Sequence, residues 1–239
     1  MFFWGFYIDP LYLVLLIATL VISGGSQLYI TNTFRSWSRV ANRSGLTGLD
    51  IGHHLVDRVR FGPATGAVTG IRFQVVPGQL SDAFDPRTRT VGLSEAVARQ
   101  ASVAAMAVTA HEVGHAQQHA EGTVAMQARA FLVPALTLSP MLSYFCILFG
   151  LIFNLAGLFY LGILFFAVMV LFTLLTLPVE IGASRRAVRM LRTAGLLADA
   201  REEAGVRKVL TAAALTYVAA AVTSILTLLY YISLARRRG

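Results

Sequence analysis

The hydrophobic residues are concentrated in four stretches, which two polar segments separate. The first stretch, from about Pro10 to Ile30, is the weakest, because the sequence Ser23 to Gln27 in its second half is small and polar. No charged residue occurs from Phe131 to Val179, a length that suits two helical crossings of a bilayer rather than one. The last stretch runs from about Val209 to Leu234. The pattern predicts four transmembrane helices, of which the middle two form a hairpin that turns between Gly150 and Gly157.

The longer polar segment, residues 31–130, has the local signals of a small α+β domain. Its predicted elements are, in chain order, a helix capped by Thr47 that runs toward Arg58, a strand at Ile71 to Val76, a turn at Asp85-Pro86, a strand at Thr88 to Leu93, and an Ala-rich helix from Ser94 to about Ala120 with a break near Gln100 to Ser102. The fold class is therefore mainly α, a membrane protein with about four transmembrane helices and a small α+β core.

These boundaries divide the chain into five parts. In order they are an N-terminal transmembrane anchor (1–30), a domain with the Ala-rich helix (31–130), a transmembrane hairpin (131–179), a basic helical segment (180–208), and a C-terminal transmembrane helix with a basic tail (209–239). A cleaved signal peptide is the competing interpretation of the first part. No Lys or Arg precedes its apolar residues, however, which favours a retained anchor.

The composition supports a membrane protein and narrows the chemistry. Hydrophobic residues make up 56% of the chain and charged residues only 13%, whereas a soluble domain has about 25% charged residues. Cys146 is the only cysteine, so neither a disulfide framework nor a cysteine-ligated metal site is available. Any metal must be held by His, Asp or Glu. The net charge of +8 comes without a nucleic-acid-binding module, so we expect contact with lipid headgroups and no nucleic acid.

The distribution of positive charge predicts the orientation in the membrane. With four crossings, residues 31–130 and 180–208 share one face, and all but three of the 20 Lys and Arg residues lie in these two segments. The positive-inside rule then places both segments in the cytosol, although Arg236 to Arg238 argue weakly for the opposite orientation. We expect a multi-pass protein of the cytoplasmic (inner) membrane with its polar segments on the cytosolic face.

The Ala-rich helix contains the sequence His111-Glu112-Val113-Gly114-His115, an H-E-x-x-H motif. Residues four apart lie one turn apart on the same helix face, so both imidazoles can reach one tetrahedral Zn²⁺. Glu112 is rotated by roughly 100° from His111 and lies beside the metal, where it can act as a general base on metal-activated water. The motif follows a short strand, Thr88 to Leu93, which we expect to be an edge strand that pairs with an extended peptide substrate.

A catalytic zinc needs a third protein ligand. His119 repeats the four-residue spacing, but three ligands on consecutive turns of a straight helix cannot converge on one ion. It is therefore a candidate to hydrogen-bond a ligand or to contact substrate. Metzincins would require a histidine at position 121, which is Glu121 here. Glu180 is the better candidate, because it directly follows the apolar hairpin and an acid there is costly unless it is paired or metal-bound.

Residues around Glu180 support this interpretation. Pro178 predicts a local break or restart of the helix before it. Ser184 lies one turn after Glu180 and is placed for a hydrogen bond to a metal ligand. Arg185 is a candidate for substrate contact or oxyanion stabilisation, and a lipid-facing role is its alternative. For Glu180 the alternative is an ion pair with Arg185 or Arg186.

Several longer motifs resemble the YugP-like neutral zinc metallopeptidases, a family of bacterial membrane proteins of the gluzincin type. They are Asp9-Pro10, Ser44 to Gly48, Val76 to Gly78, Asp85 to Thr88 with Leu93 to Glu95, His111 to His119, Leu177 to Glu180 with Ala183 to Ala187, and Val209 to Tyr217. The resemblance implies His111, His115 and Glu180 as ligands of one catalytic zinc and Glu112 as the base. Many gluzincins have an Asp one turn after the ligand Glu, and Ser184 departs from that pattern.

The sequence therefore predicts a membrane-embedded zinc metalloendopeptidase that cleaves membrane or membrane-proximal polypeptides. The alternative is a non-proteolytic membrane scaffold or adaptor with a structural zinc. A zinc closed by a fourth protein ligand would favour the scaffold, whereas an open position favours the enzyme. Both an oligomer and a complex with a membrane-protein partner are compatible with the sequence. A transporter is disfavoured, because the apolar stretches contain almost no ionisable residue.

Overall fold

The computed structural model describes residues 9–58 and 70–237, and the described chain is mostly helical. Its elements are, in chain order, α1 (Pro10–Ser38), α2 (Gly48–Arg58), β1 (Arg72–Val76), β2 (Ala83–Asp85), β3 (Thr90–Ser94), α3 (Glu95–Arg99), α4 (Val103–Ala120), α5 (Val124–Ile152), α6 (Ala156–Thr193) and α7 (Ala200–Arg236). The chain divides into two compact units. We call residues 9–27, 129–175 and 216–237 the apolar unit, and residues 28–128 and 176–215 the mixed unit.

The apolar unit is built from the apolar parts of four long helices. Within residues 9–58 and 70–237, α1, α5, α6 and α7 are long and apolar enough to cross a membrane. Many of their large side chains in this unit are exposed, such as Leu20, Leu164 and Leu229. Exposed apolar side chains along a helix are expected where lipid takes the place of water. This confirms the predicted mainly α membrane protein with four candidate spans.

The hairpin between α5 and α6 turns where the sequence predicts. The connection is residues 153–155, and Asn154 has a φ of +53°, a left-handed conformation that Asn tolerates better than most residues. Just before the turn, a Cβ at Gly150 would lie 2.6 Å from the backbone nitrogen of Phe159, so the two helices approach closely at a residue without a side chain. Ser143 Oγ donates a hydrogen bond of 3.0 Å to the carbonyl of Gly162 and joins the helices further along.

The core of the mixed unit lies between four helical segments. α2, α4, the end of α6 and the start of α7 enclose its larger hydrophobic cluster, whose fully buried side chains include Ile51, Leu55, Met106, Val113 and Leu191. Most alanines of α4 are buried, and their small side chains let the neighbouring helices come near. As a consequence α4, which carries the H-E-x-x-H motif, is the central element of this unit.

Two polar caps fix the ends of the helices in the mixed unit. Asp50 N donates to Thr47 Oγ1 at 3.3 Å and Thr47 N donates to Asp50 Oδ2 at 3.0 Å, which is a reciprocal cap at the predicted start of α2. Ser102 Oγ accepts a hydrogen bond of 3.1 Å from Ala105 N and caps α4. α3 ends at Arg99, so the predicted break before Ser102 is confirmed.

The three strands form one sheet in the order β1-β3-β2, with β3 parallel to β1 and antiparallel to β2. The prediction that the strand after Asp85-Pro86 lies at an edge was therefore wrong. This strand, β3, is central and covers Thr90 to Ser94, with Val91 and Leu93 fully buried. β2 pairs with β3 and takes the edge position on that side of the sheet. It is only three residues long, too short to show an alternating pattern in the sequence.

The predicted break at Pro178 was also wrong, because α6 runs without interruption from Ala156 to Thr193. A proline inside a helix removes one backbone donor, but apolar helices that pack against neighbours tolerate it. Glu180 consequently lies on the same continuous helix as the apolar stretch before it. The predicted basic segment 180–208 comprises the end of α6, a connection at residues 194–199 and the start of α7.

Candidate metal centre

The candidate metal-binding residues come from α4 and α6, which pack closely at Gly114. A Cβ at this position would lie 2.7 Å from the carbonyl oxygen of Ala183, closer than side-chain atoms come to a backbone oxygen. Only glycine lets the two helix backbones meet here. Because Gly114 lies between the two histidines in the sequence, this contact sets the distance at which side chains of α6 can reach them.

Three side chains converge at this contact. His111 Nε2 lies 3.2 Å from Glu180 Oε2, and His115 Nε2 lies 3.4 Å from the same oxygen. The imidazole rings of His111 and His115 are nearly perpendicular, with centroids 4.7 Å apart. The structure thus brings together the three residues that the sequence predicts as ligands, and their ligand atoms all lie within 4.8 Å of one another.

The spacing of these atoms fits one zinc ion. Tetrahedral bonds of about 2.0 to 2.1 Å put neighbouring ligand atoms about 3.3 to 3.4 Å apart. The two distances to Glu180 Oε2 match this separation without rearrangement. Two imidazoles and one carboxylate are also a donor set of catalytic zinc sites, which keep a fourth position for water. Among residues 9–58 and 70–237, no fourth His, Cys, Asp or Glu belongs to this group.

Gln118 holds the imidazole of His115 in place. Its Nε2 donates to the carbonyl of Val179 at 2.8 Å, so its other amide atom, Oε1, is an acceptor. This oxygen lies 3.0 Å from His115 Nδ1, which must therefore carry the proton and donate it. The tautomer leaves the lone pair of His115 Nε2 available for a metal. Gly182 makes room for the amide, because a Cβ there would lie 2.6 Å from Gln118 Nε2.

Ser184 makes the corresponding contact with the other histidine. Its Oγ lies 3.3 Å from His111 Nδ1, one turn of α6 beyond Glu180. When His111 Nε2 serves as a ligand, Nδ1 carries the proton and donates it to the hydroxyl. A neutral hydroxyl orients the ring but polarises it less than a carboxylate would.

Glu112 is buried next to the two histidines and has no ion pair with Lys or Arg among those that the described residues form. Burial raises the pKa of its carboxyl group, the positive charge that His111 and His115 can carry lowers it, and the negative charges of Glu180 and Asp82 raise it further. Burial is the largest of these effects, so the pKa lies above its ordinary value. A carboxyl group with a raised pKa is suited to exchange a proton near neutral pH.

Asp82 is a neighbour of the site for which no local sequence pattern gives a role. Its carboxylate accepts hydrogen bonds from Ser94 N at 2.7 Å and from Ser94 Oγ at 3.2 Å. It thereby fixes the junction of β3 and α3, and burial raises its pKa. Asp85 instead accepts from Arg87 N at 2.9 Å and is a turn residue.

The remaining predicted residues lie outside the ligand group. His119 is exposed at the end of α4, with its ring centroid 5.9 Å from that of Phe84 in β2. Arg185 is exposed and lines a groove between α6 and α7. Arg186 forms an ion pair with Glu121, so the pairing of Glu180 with either arginine does not occur among the ion pairs of the described residues.

Comparison with known proteins supports this chemistry. The family model described as "Putative neutral zinc metallopeptidase" matches residues 12–236. A protein of Bacillus subtilis (strain 168), described as "Putative membrane protease YugP", is 37% identical over 222 residues, which are 93% of this chain and 95% of the relative. No solved structure matches the chain. The chain belongs to this family of zinc metallopeptidases and is a membrane protein with a bacterial relative.

Replacing Gln118 with Ala should weaken zinc binding by about 10- to 100-fold, because His115 then loses the acceptor that fixes its tautomer. The affinity can be measured by competition with a chromophoric chelator. His119→Ala on the exposed face of the same helix is the matched control, and its affinity should stay within about twofold of wild type. Unchanged zinc affinity in a folded Gln118→Ala protein would contradict the positioning role.

Proposed function

We propose that this protein is a membrane-embedded zinc-dependent endopeptidase that hydrolyses peptide bonds of membrane or membrane-proximal proteins. The observation that carries the proposal is the convergence of His111 Nε2, His115 Nε2 and Glu180 Oε2 beside the buried carboxyl group of Glu112. The scaffold alternative requires a zinc closed by a fourth protein ligand. His119, its strongest candidate, is outside the group that the described residues form.

Each residue of the site has its own role in hydrolysis. A bound Zn²⁺ would polarise the scissile carbonyl and lower the pKa of the attacking water. Glu112 takes a proton from this water as its oxygen bonds to the carbonyl carbon. The same carboxyl group then gives the proton to the amide nitrogen as the C–N bond breaks. Gln118 and Ser184 keep the two imidazoles oriented throughout.

The sheet offers a place for an extended substrate. β2 is paired on one side only among the described strands, and it contacts α4. Its Phe84 lies next to His119 at the end of that helix. We therefore assign the pairing of a substrate backbone to β2 rather than to the central strand β3. A polypeptide of the membrane or its surface is the substrate class that suits a protein with four candidate spans.

Replacing Glu112 with Gln should lower the rate of proteolysis by about 10²- to 10⁴-fold, because the amide cannot accept the proton. One zinc should stay bound per chain, because Glu112 is not among the three proposed ligands. Cleavage of a generic unfolded protein by the purified full-length chain gives the rate, and elemental analysis gives the zinc content. Glu95→Gln, an exposed acid in α3, is the control and should keep the wild-type rate. A zinc-loaded Glu112→Gln protein that cleaves as fast as wild type would overturn the proposal.

We further propose that the protein lies in the bacterial cytoplasmic membrane with the metal centre on the cytosolic face. The support is the concentration of Lys and Arg in residues 31–130 and 180–208.

The orientation can be tested by labelling single cysteines with a membrane-impermeant maleimide in a Cys146→Ala background. Glu95→Cys reports on the mixed unit and Arg237→Cys on the end of α7. In intact spheroplasts Arg237→Cys should be labelled, whereas Glu95→Cys should be labelled only after the membrane is opened. The reverse pattern would place the metal centre outside the cytosol.

A further inference from the structure

A groove of about 240 Å³ lies between the end of α6 and the start of α7, within the mixed unit. Its lining combines apolar and cationic side chains, and those that matter here are Ile181, Ser184 and Arg185 of α6 with Arg207, Leu210 and Ala214 of α7. On α7 these residues recur at intervals of three and four, and on α6 Ser184 and Arg185 lie three and four residues after Ile181, so they form one stripe along each helix. The groove is the space between the two stripes.

The groove is apolar at one end and cationic toward the other. The connection at residues 194–199 is short, so α6 and α7 run antiparallel and Ile181 lies level with Ala214. Along their own helices, both residues are the lining residues nearest to the stretches of α6 and α7 that belong to the apolar unit. Ile181 is 39% exposed, which is unfavourable in water. Arg185 and Arg207 lie further from these stretches.

The positive charge of the groove is not neutralised within the described chain. Arg207 Nε donates to Glu203 Oε1 at 2.7 Å, but Glu203 also pairs with Arg192. Arg185 has no acidic partner among residues 9–58 and 70–237. Arg192 and Arg207 therefore share one carboxylate and Arg185 has none, and the excess positive charge favours an anionic ligand.

The groove lies behind His111 rather than on the ligand side of the metal centre. Ser184, which lines the groove, contacts His111 at Nδ1. The nitrogen that faces Glu180 is Nε2, on the other edge of the ring. Ser184 therefore stands between the groove and the Nδ1 edge of this imidazole, and this position argues against a subsite for the scissile peptide.

We propose that this groove binds an anionic phospholipid. The phosphate lies between the guanidinium groups of Arg185 and Arg207, which present paired donors to phosphate oxygens. The acyl chain covers Ile181, Leu210 and Ala214 at the apolar end. A membrane supplies a ligand with this combination of charge and apolar length, and anionic lipids attract basic segments of membrane proteins. The inference goes beyond the proposed peptidase activity, because it requires neither zinc nor hydrolysis.

The test is native mass spectrometry of the full-length protein in a nonionic detergent, titrated with phosphatidylglycerol or with phosphatidylcholine of the same acyl chains. The wild type should retain phosphatidylglycerol in preference to phosphatidylcholine. Each arginine near a lipid surface contributes about a fivefold gain in affinity, so Arg185→Gln with Arg207→Gln should weaken retention by about 25-fold. The matched control is Arg189→Gln with Arg201→Gln, which removes the same charge from exposed positions outside the groove.

Equal retention by wild type and by the Arg185 and Arg207 variant would overturn the proposal, and so would an equal loss in the control. Displacement of the lipid by inorganic phosphate at the same concentration would show a simple anion site instead, and displacement by an acidic peptide would show a peptide site. Zinc content, measured on the same samples, should stay at the wild-type level in both double variants. Failure of the lipid site is thus distinguishable from failure of the metal centre.

Discussion

The contact between α4 and α6 at Gly114 is the constraint on which the candidate metal centre depends. The carbonyl of Ala183 occupies the space that a side chain at position 114 would need, so the two helices meet at backbone distance. At this separation Glu180 reaches both histidines, and one turn further along α4 Gln118 bonds to the backbone of α6 at Val179. A larger residue at 114 would move α6 away, and with it both the proposed third ligand, Glu180, and the acceptor of the Gln118 hydrogen bond. The centre is a property of this pair of helices and not of the H-E-x-x-H motif alone.

The close contact also explains how polar groups are tolerated in the core. Glu112, His115, Gln118 and Glu180 are all buried, and buried polar groups destabilise a fold unless they are paired or bound to metal. His115 and Gln118 satisfy one another, and Glu180 lies against two imidazoles. A cation bound by the three ligand atoms would compensate the carboxylate charge, and metal binding would then add to the stability of the fold. Structure and chemistry therefore depend on the same small set of contacts.

The sequence predicts the parts of this arrangement that rest on local periodicity. Two histidines one turn apart, an acid beside the apolar hairpin, the cap of α2 and the break before α4 are all visible in the sequence. The close packing at Gly114, the central position of β3 and the contact of Gln118 with Val179 are tertiary features. Gln117 and Gln118 look equivalent in the sequence, and only the neighbouring helix distinguishes them. Pro178 is a case in which the local signal misleads, because the packing of a long apolar helix overrides a strong signal for a helix break.

X-ray absorption at the zinc edge of the purified full-length protein tests the three-ligand centre most directly. We expect one zinc per chain with nitrogen and oxygen neighbours at about 2.0 to 2.1 Å, two of them imidazoles, and no sulfur neighbour. Tight zinc binding should be lost when Glu180 is replaced with Ala. A spectrum with three imidazoles, or an unchanged spectrum and zinc content in the Glu180→Ala protein, would contradict the assignment of His111, His115 and Glu180 as the ligands.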